Sequence, residues 1–155
     1  MKHIFVLDEN VYIQSHTCKA IQDSQDDYDS FHLILHILEE CHKIGLCPQL
    51  IGKYQEKSKI LEEKRQIGSG SIRIWKHLLT RNDKQSHSTS SLNDLPSNLL
   101  HDRHIIEPTL FLSGILVTTD EKLKERLIAW AKGKKVELHV MSPKDAILHL
   151  SKSSR

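Results

Sequence analysis

The sequence predicts a three-layer α/β/α fold, in which helices cover both faces of a mostly parallel central sheet of four or five strands. Short apolar runs typical of buried strands occur at residues 3–7 and 115–118, each followed by polar residues. Segments with helical apolar spacing lie between such runs, so strands and helices alternate along the chain. The length of 155 residues suits one core, and we expect a single domain over residues 1–155.

The first half of the chain is expected to contain two strands and four helices. The first strand ends at Asp8-Glu9-Asn10, and a helix follows it. Ser30 is suited to cap the next helix and Gly45 to end it, because glycine adopts the left-handed conformation common at helix ends. The predicted elements are strands at residues 3–7 and 46–47 and helices at residues 11–21, 31–44, 50–65 and 72–79.

The segment at residues 81–98 differs in composition from its surroundings. It is rich in Ser, Asn and Asp, contains only two leucines, and has Pro96 near its end. Such a segment buries little apolar surface, so we predict a mobile polar excursion within the single domain.

The last third of the chain has the clearest pattern. Gly114 and Gly133 are predicted to end helices, and Ser142-Pro143 is a typical helix start, with a capping side chain before a proline. The predicted elements are helices at residues 104–113 and 121–132, strands at residues 115–118 and 136–140, and a final helix from residue 143.

Composition excludes some classes of protein and leaves others open. The chain has 22 Lys and Arg against 20 Asp and Glu, a balance too even to indicate nucleic-acid binding by itself. No apolar run has the roughly 18 residues that cross a membrane, and the N-terminal run is too short for a secretory signal. We therefore expect no membrane association and a cytoplasmic location. The three cysteines form no CxxC pair, which favours reduced thiols.

Three aspartates are placed to meet at one edge of the predicted sheet. Asp8 and Asp120 each follow a strand, and Asp102 begins the helix that leads into the second of these strands. Ligands of open parallel sheets bind beyond the carboxyl ends of the strands, where all three carboxylates would lie. Each aspartate taken alone also suits an ordinary helix N-cap.

Clustered carboxylates repel one another, and a hard divalent cation relieves the repulsion. Mg²⁺ and Mn²⁺ suit oxygen ligands, and a metal pair of this kind activates water for phosphodiester hydrolysis. A zinc site is not favoured, because His32 and His36 have helical metal-binding spacing but lack the Glu of an HExxH motif.

Four segments of the chain resemble, in order, the motifs of PIN domains. The likeness covers nearly the whole chain: an apolar strand before Asp-x-Asn, an acidic helix start, a glycine and strand before Thr-x-Asp, and a last strand before a Ser-Pro cap. The motifs are Asp8-Glu9-Asn10, His101-Asp102-Arg103, Thr118-Thr119-Asp120 and Ser142-Pro143.

The resemblance implies a PIN-like parallel sheet and Mg²⁺- or Mn²⁺-dependent cleavage of RNA. It implies that Asp8, Asp102 and Asp120 bind the metal and take part in catalysis. Asn10 and Thr118 would be the polar groups that orient them.

The chain departs from the family at one position. PIN domains usually have an acidic residue early in the helix after the second strand, often before an aromatic residue, whereas Lys53 precedes Tyr54 here. Either Glu56, one turn further on the same helical face, supplies the fourth catalytic carboxylate, or the site has only three. A site with three would bind metal weakly.

Basic residues near the proposed acidic edge are candidates for contacts with RNA phosphates. Lys53, Arg103 and Lys122 are the substrate-binding candidates, with an ordinary solvated helix face as the alternative.

Two functions follow as hypotheses. The first is an endoribonuclease acting on single-stranded RNA, with the toxin of a toxin–antitoxin pair as one form; its partners would be RNA, an antitoxin protein and a second copy of the chain. The second is a catalytically weak or inactive PIN-like module that binds RNA or a protein. A nucleotide-binding Rossmann domain is disfavoured because no GxGxxG follows the first strand, and a DxDx phosphatase because Asn10 replaces the second Asp.

Overall fold

The computed structural model describes residues 2–17, 25–65 and 69–153. Strands and helices alternate through most of this part of the chain. The strands are β1 (Ile4–Leu7), β2 (Lys43–Leu46), β3 (Gln85–His87), β4 (Ile115–Val117) and β5 (His139–Met141). The α-helices are α1 (Glu9–Thr17), α2 (Gln25–Glu39), α3 (Pro48–Glu63), α4 (Ser69–Thr80), α5 (Arg103–Phe111), α6 (Glu121–Lys134) and α7 (Pro143–Ser153), and short 3₁₀ helices span Asn82–Lys84 and Ser97–Asp102.

The five strands form one sheet in the order β3-β2-β1-β4-β5, and every neighbouring pair is parallel. Strand β1 is central, because Phe5 is in register with Ile44 on one side and with Ile115 on the other. The chain therefore adds β2 and β3 on one side of β1 and then β4 and β5 on the other. All strands end at the same edge of the sheet, called here the carboxyl edge.

Helices pack on both faces of this sheet, and the predicted three-layer α/β fold is confirmed. Helix α5 packs against β1, β2 and β4, whereas α2 packs with α1, α4 and α7. The inner strands are apolar on both faces, and Phe5, Val6, Leu116 and Val117 are fully buried. This burial on both faces explains why β1 and β4 appear in the sequence as continuous apolar runs instead of alternating ones.

The prediction that Gly45 ends a helix was wrong. Helix α2 ends at Glu39, and Gly45 lies inside β2. A Cβ at this position would lie 2.8 Å from Cγ2 of Val6 and 3.2 Å from Cδ1 of Leu112. Glycine is required because β2 approaches its neighbours closely, and not because a helix stops there.

Gly114 and Gly133 also do not adopt the predicted helix-ending conformation. The left-handed residues near these two helix ends are Ser113, with a φ of 52°, and Lys135, with a φ of 57°. Gly114 instead allows close approach to β1, since a Cβ there would lie 2.9 Å from the carbonyl oxygen of Ile4.

Helix α2 begins at Gln25, before the predicted cap at Ser30. Asp26 and Asp27 occupy its first turn, where negative charge favours a helix start. Ser30 is buried, and its hydroxyl donates to Oε1 of Gln14 at 3.1 Å. The predicted end of the preceding helix, near residue 21, lies outside the described residues.

The polar segment 81–98, predicted as an excursion from the fold, contributes the edge strand β3, which pairs with β2. Its Leu92 is attached to α5 through both backbone groups. The Leu92 N–H donates to Oε2 of Glu107 at 2.5 Å, and the Leu92 carbonyl accepts from Nη2 of Arg103 at 2.7 Å. The sequence did not indicate β3, because Gln85-Ser86-His87 contains no apolar side chain.

None of the described helices has both the length and the apolar content that crossing a membrane requires.

Candidate active site

The hydroxyl group of Thr118 joins two of the three predicted acidic positions. Thr118 follows β4, and its Oγ1 donates to Oδ2 of Asp8 at 2.7 Å. The same oxygen accepts from the backbone N–H of Asp120 at 3.1 Å. The backbone N–H of Asp8 donates to the carbonyl of Val117 at 3.0 Å, so β1 and β4 stay paired up to the carboxyl edge.

Asp120 is also the N-cap of α6. Its Oδ1 accepts from the backbone N–H of Leu123 at 3.1 Å, as the capping interpretation of a lone aspartate requires. Within the part of the chain that the structure describes, its Oδ2 has no hydrogen-bond donor. One carboxylate oxygen therefore holds the helix start, and the other stays free for a ligand.

Asp8 is buried at the end of β1, in surroundings unfavourable to its charge. Burial raises the pKa of its carboxyl to about 6, against the hydrogen bond from Thr118, which lowers it. The negative charges of Glu9 and Asp102 raise this pKa further.

Asp102 lies half-buried at the N-cap position of α5, and its side chain does not cap that helix. Burial raises the pKa of Asp102, against the positive charges of His104 and Arg126. The carboxylates of Glu9 and Asp120 raise it as well. Asp102 thus lies between the other two aspartates electrostatically, because its charge raises the pKa of Asp8 and the charge of Asp120 raises the pKa of Asp102.

A fourth carboxylate lies in this cluster, and the sequence analysis did not assign it. Glu9 follows Asp8 directly, and its Oε1 forms a hydrogen bond with Nε2 of His104. Partial burial would raise the pKa of Glu9, but this bond and the charges of His104, Lys53 and Lys57 lower it overall.

The pair of Glu9 and His104 joins the first turn of α1 to the start of α5. His104 is buried, and its carbonyl accepts from the Cys47 thiol at 3.3 Å. The only signals in the sequence were that Glu9 follows Asp8 directly and that His104 lies two residues after Asp102. Neither signal shows that the two helix starts meet.

Glu56, the predicted fourth carboxylate, is exposed on α3 and forms no hydrogen bond or ion pair with the described residues. Lys53 lies nearer to the cluster, as the effect of its charge indicates: it lowers the pKa of Glu9. The acidic group next to the three aspartates is therefore Glu9, and the α3 side chains whose charges act on it are lysines.

The remaining predicted residues lie at the edge of the cluster or outside it. Asn10 and Lys122 are exposed, in the first turns of α1 and α6, and form no hydrogen bond or ion pair with the described residues. Arg103 is engaged with Glu107, at 3.3 Å, and with the Leu92 carbonyl.

The fit of a cation to this cluster can be tested on its side chains. No group of three or more His, Cys, Asp or Glu residues in the described ranges is arranged to hold a metal directly. The mutual repulsion of Asp8, Glu9 and Asp102 nevertheless favours a nearby positive charge. A cation that keeps part of its water shell, as Mg²⁺ does, satisfies both observations.

The chain matches no model of a known protein family, and no curated protein or solved structure matches it either.

Proposed function

We propose that this chain is a divalent-metal-dependent endoribonuclease that hydrolyses phosphodiester bonds of single-stranded RNA, similar to PIN domains. One observation carries the proposal: the Thr118 hydroxyl links Asp8 and Asp120 at the ends of adjacent parallel strands. Asp102 belongs to the same cluster, because the charge of Asp120 raises the pKa of Asp102 and the charge of Asp102 raises the pKa of Asp8. Such a cluster at the carboxyl edge is where this class of fold binds ligands.

In this proposal Asp8, Asp102 and Asp120 hold Mg²⁺ or Mn²⁺, partly through water. A bound cation of this kind activates a water molecule and stabilises the leaving oxygen of a phosphodiester. Two further side chains assist in binding the metal and the RNA. Thr118 fixes the orientation of the Asp8 carboxylate, and Lys53 attracts the phosphate backbone.

Glu9 and His104 have a positioning role. Their hydrogen bond joins the elements that follow Asp8 and Asp102, and so keeps these two carboxylates at a fixed separation. Loss of His104 is expected to weaken binding of Mn²⁺ more than binding of RNA measured without metal.

The test is cleavage of a single-stranded RNA in Mn²⁺ by the wild type and by Asp8→Asn and Asp120→Asn. We expect both variants to lose activity, and EDTA to abolish it in the wild type. Asp94→Asn is the matched control, because Asp94 is a surface residue paired with Lys134 at 3.2 Å, and it should retain full activity. Equal cleavage in all samples would indicate a contaminating nuclease and overturn the proposal.

The second candidate is a PIN-like module that binds RNA or a protein partner without cutting RNA. The observation that favours it is Lys53 beside the cluster, where an acid would strengthen metal binding. In that case the chain binds RNA in EDTA, and Mn²⁺ adds neither binding nor cleavage.

A toxin of a toxin–antitoxin pair in the cytoplasm is one setting for the nuclease. Growth arrest on expression of the wild type, absent for Asp120→Asn, would support this setting. Purification with an antitoxin, or as a dimer, would identify the partner.

A further inference from the structure

A groove of about 380 Å³ opens at the carboxyl edge, between α3 on one side and α4, β2 and β3 on the other. Its apolar wall is formed by Leu46, Ile51 and Leu79, together with the rings of Tyr12 and Tyr54. The volume is at the lower end of the range for small-molecule sites, which suits one planar ring system better than a helix.

The groove adjoins the acidic cluster through Tyr54. The ring of Tyr54 lines the groove, while its hydroxyl donates a hydrogen bond to the carbonyl of Leu7, the residue before Asp8. Tyr54 therefore connects the wall of the groove to the end of β1, one residue before Asp8.

The rim of the groove carries polar groups suited to the edge of a nucleobase. Gln55, Lys59 and Glu62 are exposed, and their side chains form no hydrogen bond or ion pair with the described residues. An amide supplies both a donor and an acceptor, a carboxylate supplies acceptors, and an ammonium group supplies donors.

The opposite rim is held in place by internal hydrogen bonds. Nε2 of Gln85 donates to the Leu78 carbonyl at 2.9 Å, and its Oε1 lies 2.8 Å from Nε2 of His87. The hydroxyl groups of Tyr12 and Ser58 bond to each other inside the groove. The site is therefore preformed, and a ligand does not have to order these groups.

Helix α3 carries three lysines and three glutamates, and its lysines are suited to contacts with phosphates. Lys53 and Lys57 act on Glu9 at the acidic cluster, and Lys59 lines the groove, so one helix presents ammonium groups to both sites. This arrangement suits a phosphodiester chain whose backbone passes along α3. An apolar peptide side chain would not use these charges.

We propose that this groove binds one unpaired base of the RNA whose neighbouring phosphate lies at Asp8, and that it sets the base preference of cleavage. The inference rests on the proposed function. An unpaired base is accessible only in single strands, loops and ends, where its polar edge can meet a rim such as that of Gln55 and Glu62.

The test measures binding of the four ribonucleoside monophosphates and of a short single-stranded RNA in EDTA, by NMR titration of the folded protein. We expect shifts at Gln55, Lys59 and Leu79, and unequal affinities for the four bases. Leu79→Trp fills the groove and should weaken nucleotide binding about tenfold, the scale of a lost base contact. Leu148→Trp, at an exposed site on α7, is the matched control and should bind as the wild type does.

Gln55→Ala provides a second variant that removes polar contacts without adding bulk, should Leu79→Trp fail to fold. It is expected to change the order of preference among the bases while Mn²⁺ binding stays unchanged. Wild-type affinity in both variants, or shifts confined to other surfaces, would overturn the groove proposal. Because the nucleotide titrations are carried out in EDTA, they succeed or fail independently of the cleavage test with Asp8→Asn and Asp120→Asn.

Discussion

Burial and like charge at Asp8 link stability to the proposed function. The pKa of this carboxyl is raised from 3.8 to about 6 in the folded protein, chiefly by burial. A raised pKa means that folding favours the protonated form. The contribution of protonated Asp8 to the stability of the folded protein is fully present below pH 3.8 and is lost as the pH rises through about 6. At neutral pH the ionised side chain therefore destabilises the metal-free fold.

We predict that Asp8→Asn increases the free energy of unfolding in EDTA at neutral pH, by up to about 3 kcal/mol, since each pKa unit corresponds to about 1.4 kcal/mol. The asparagine keeps an oxygen that accepts from Thr118. Urea denaturation of both proteins measures the difference, which should vanish in acid.

Adding Mn²⁺ should reverse the order of stability, because the cation stabilises only the carboxylate form. A wild type that gains nothing from Mn²⁺ would count against a metal at Asp8.

The second residue-scale prediction concerns His16, which is buried against Tyr12 and Trp75. Neither of its ring nitrogens has a hydrogen-bond partner among the described residues. Burial lowers the pKa of His16 from 6.5 to about 4, so the unfolded chain binds the proton more tightly. Stability is thus fully present above 6.5 and falls as the pH decreases from there towards about 4.

His16→Phe is expected to reduce the acid sensitivity of folding in this pH window, because phenylalanine does not titrate. The measurement is the unfolding midpoint across the window. His77→Phe, at an exposed position of α4, should leave the slope unchanged. An unaltered slope in His16→Phe would show that other groups cause the acid sensitivity.

At the scale of elements, the close contact of β2 with β1 can be tested at Gly45. Gly45→Ala places a methyl group 2.8 Å from Cγ2 of Val6. Overpacking of this kind costs about 1–3 kcal/mol of unfolding free energy.

Gly52→Ala is the matched control, because a Cβ at this helical position meets nothing within 4 Å. It should stabilise the protein by up to about 1 kcal/mol through helix propensity. Urea denaturation of the two variants should therefore give effects of opposite sign. Two stabilising results would contradict the packing described for β2.

The C-terminal end of α2 is stabilised by Lys84, a buried residue of the short 3₁₀ helix after α4. Nζ of Lys84 donates to the carbonyl of Ile37 at 2.9 Å, to that of His42 at 3.3 Å, and to that of Glu40. The ammonium group satisfies carbonyls that the end of a helix leaves without partners, and its charge suits the negative end of the helix dipole.

Lys84→Met should lower the free energy of unfolding by about 2–3 kcal/mol, because buried carbonyls lose a charged donor. Lys76→Met, on the exposed side of α4, controls for loss of charge and should change stability little. Thermal unfolding measures both variants. Equal stability of the two would show that water replaces the lysine at no cost.

At the scale of the whole molecule, the sequence predicts those strands and helices that have a local pattern of apolar and polar residues. Apolar runs identified β1 and β4, and the acidic residues that follow them identified Asp8 and Asp120 as neighbours across two strands, whereas the role of Thr118 came from the resemblance to PIN domains. A parallel sheet brings strand ends together whatever the details of its helices. The placement of Asp8 and Asp120 at one edge of the sheet therefore followed from the order of elements, whereas their proposed role came from the resemblance to PIN domains.

The features that the sequence did not reveal depend on packing between distant segments. The bond of Glu9 with His104 requires the starts of α1 and α5 to meet, and no spacing along the chain indicates this. Gly45 resembled a helix stop in the sequence. The atoms that require glycine there belong to β1 and to the turn after α5, which are distant along the chain, so local pattern could not indicate them. Strand β3 carries only polar side chains, so hydrophobic pattern could not identify it.

The strand order has a consequence for synthesis of the protein. Strand β1 lies between β2 and β4, and Asp8 meets Thr118 only when β4 has taken its place. A nascent chain on the ribosome therefore lacks Asp120 and Thr118, and one flank of β1 stays open, until the segment from Gly114 onward has emerged. The proposed ribonuclease activity would therefore arise only late in translation, after most of the chain has been made.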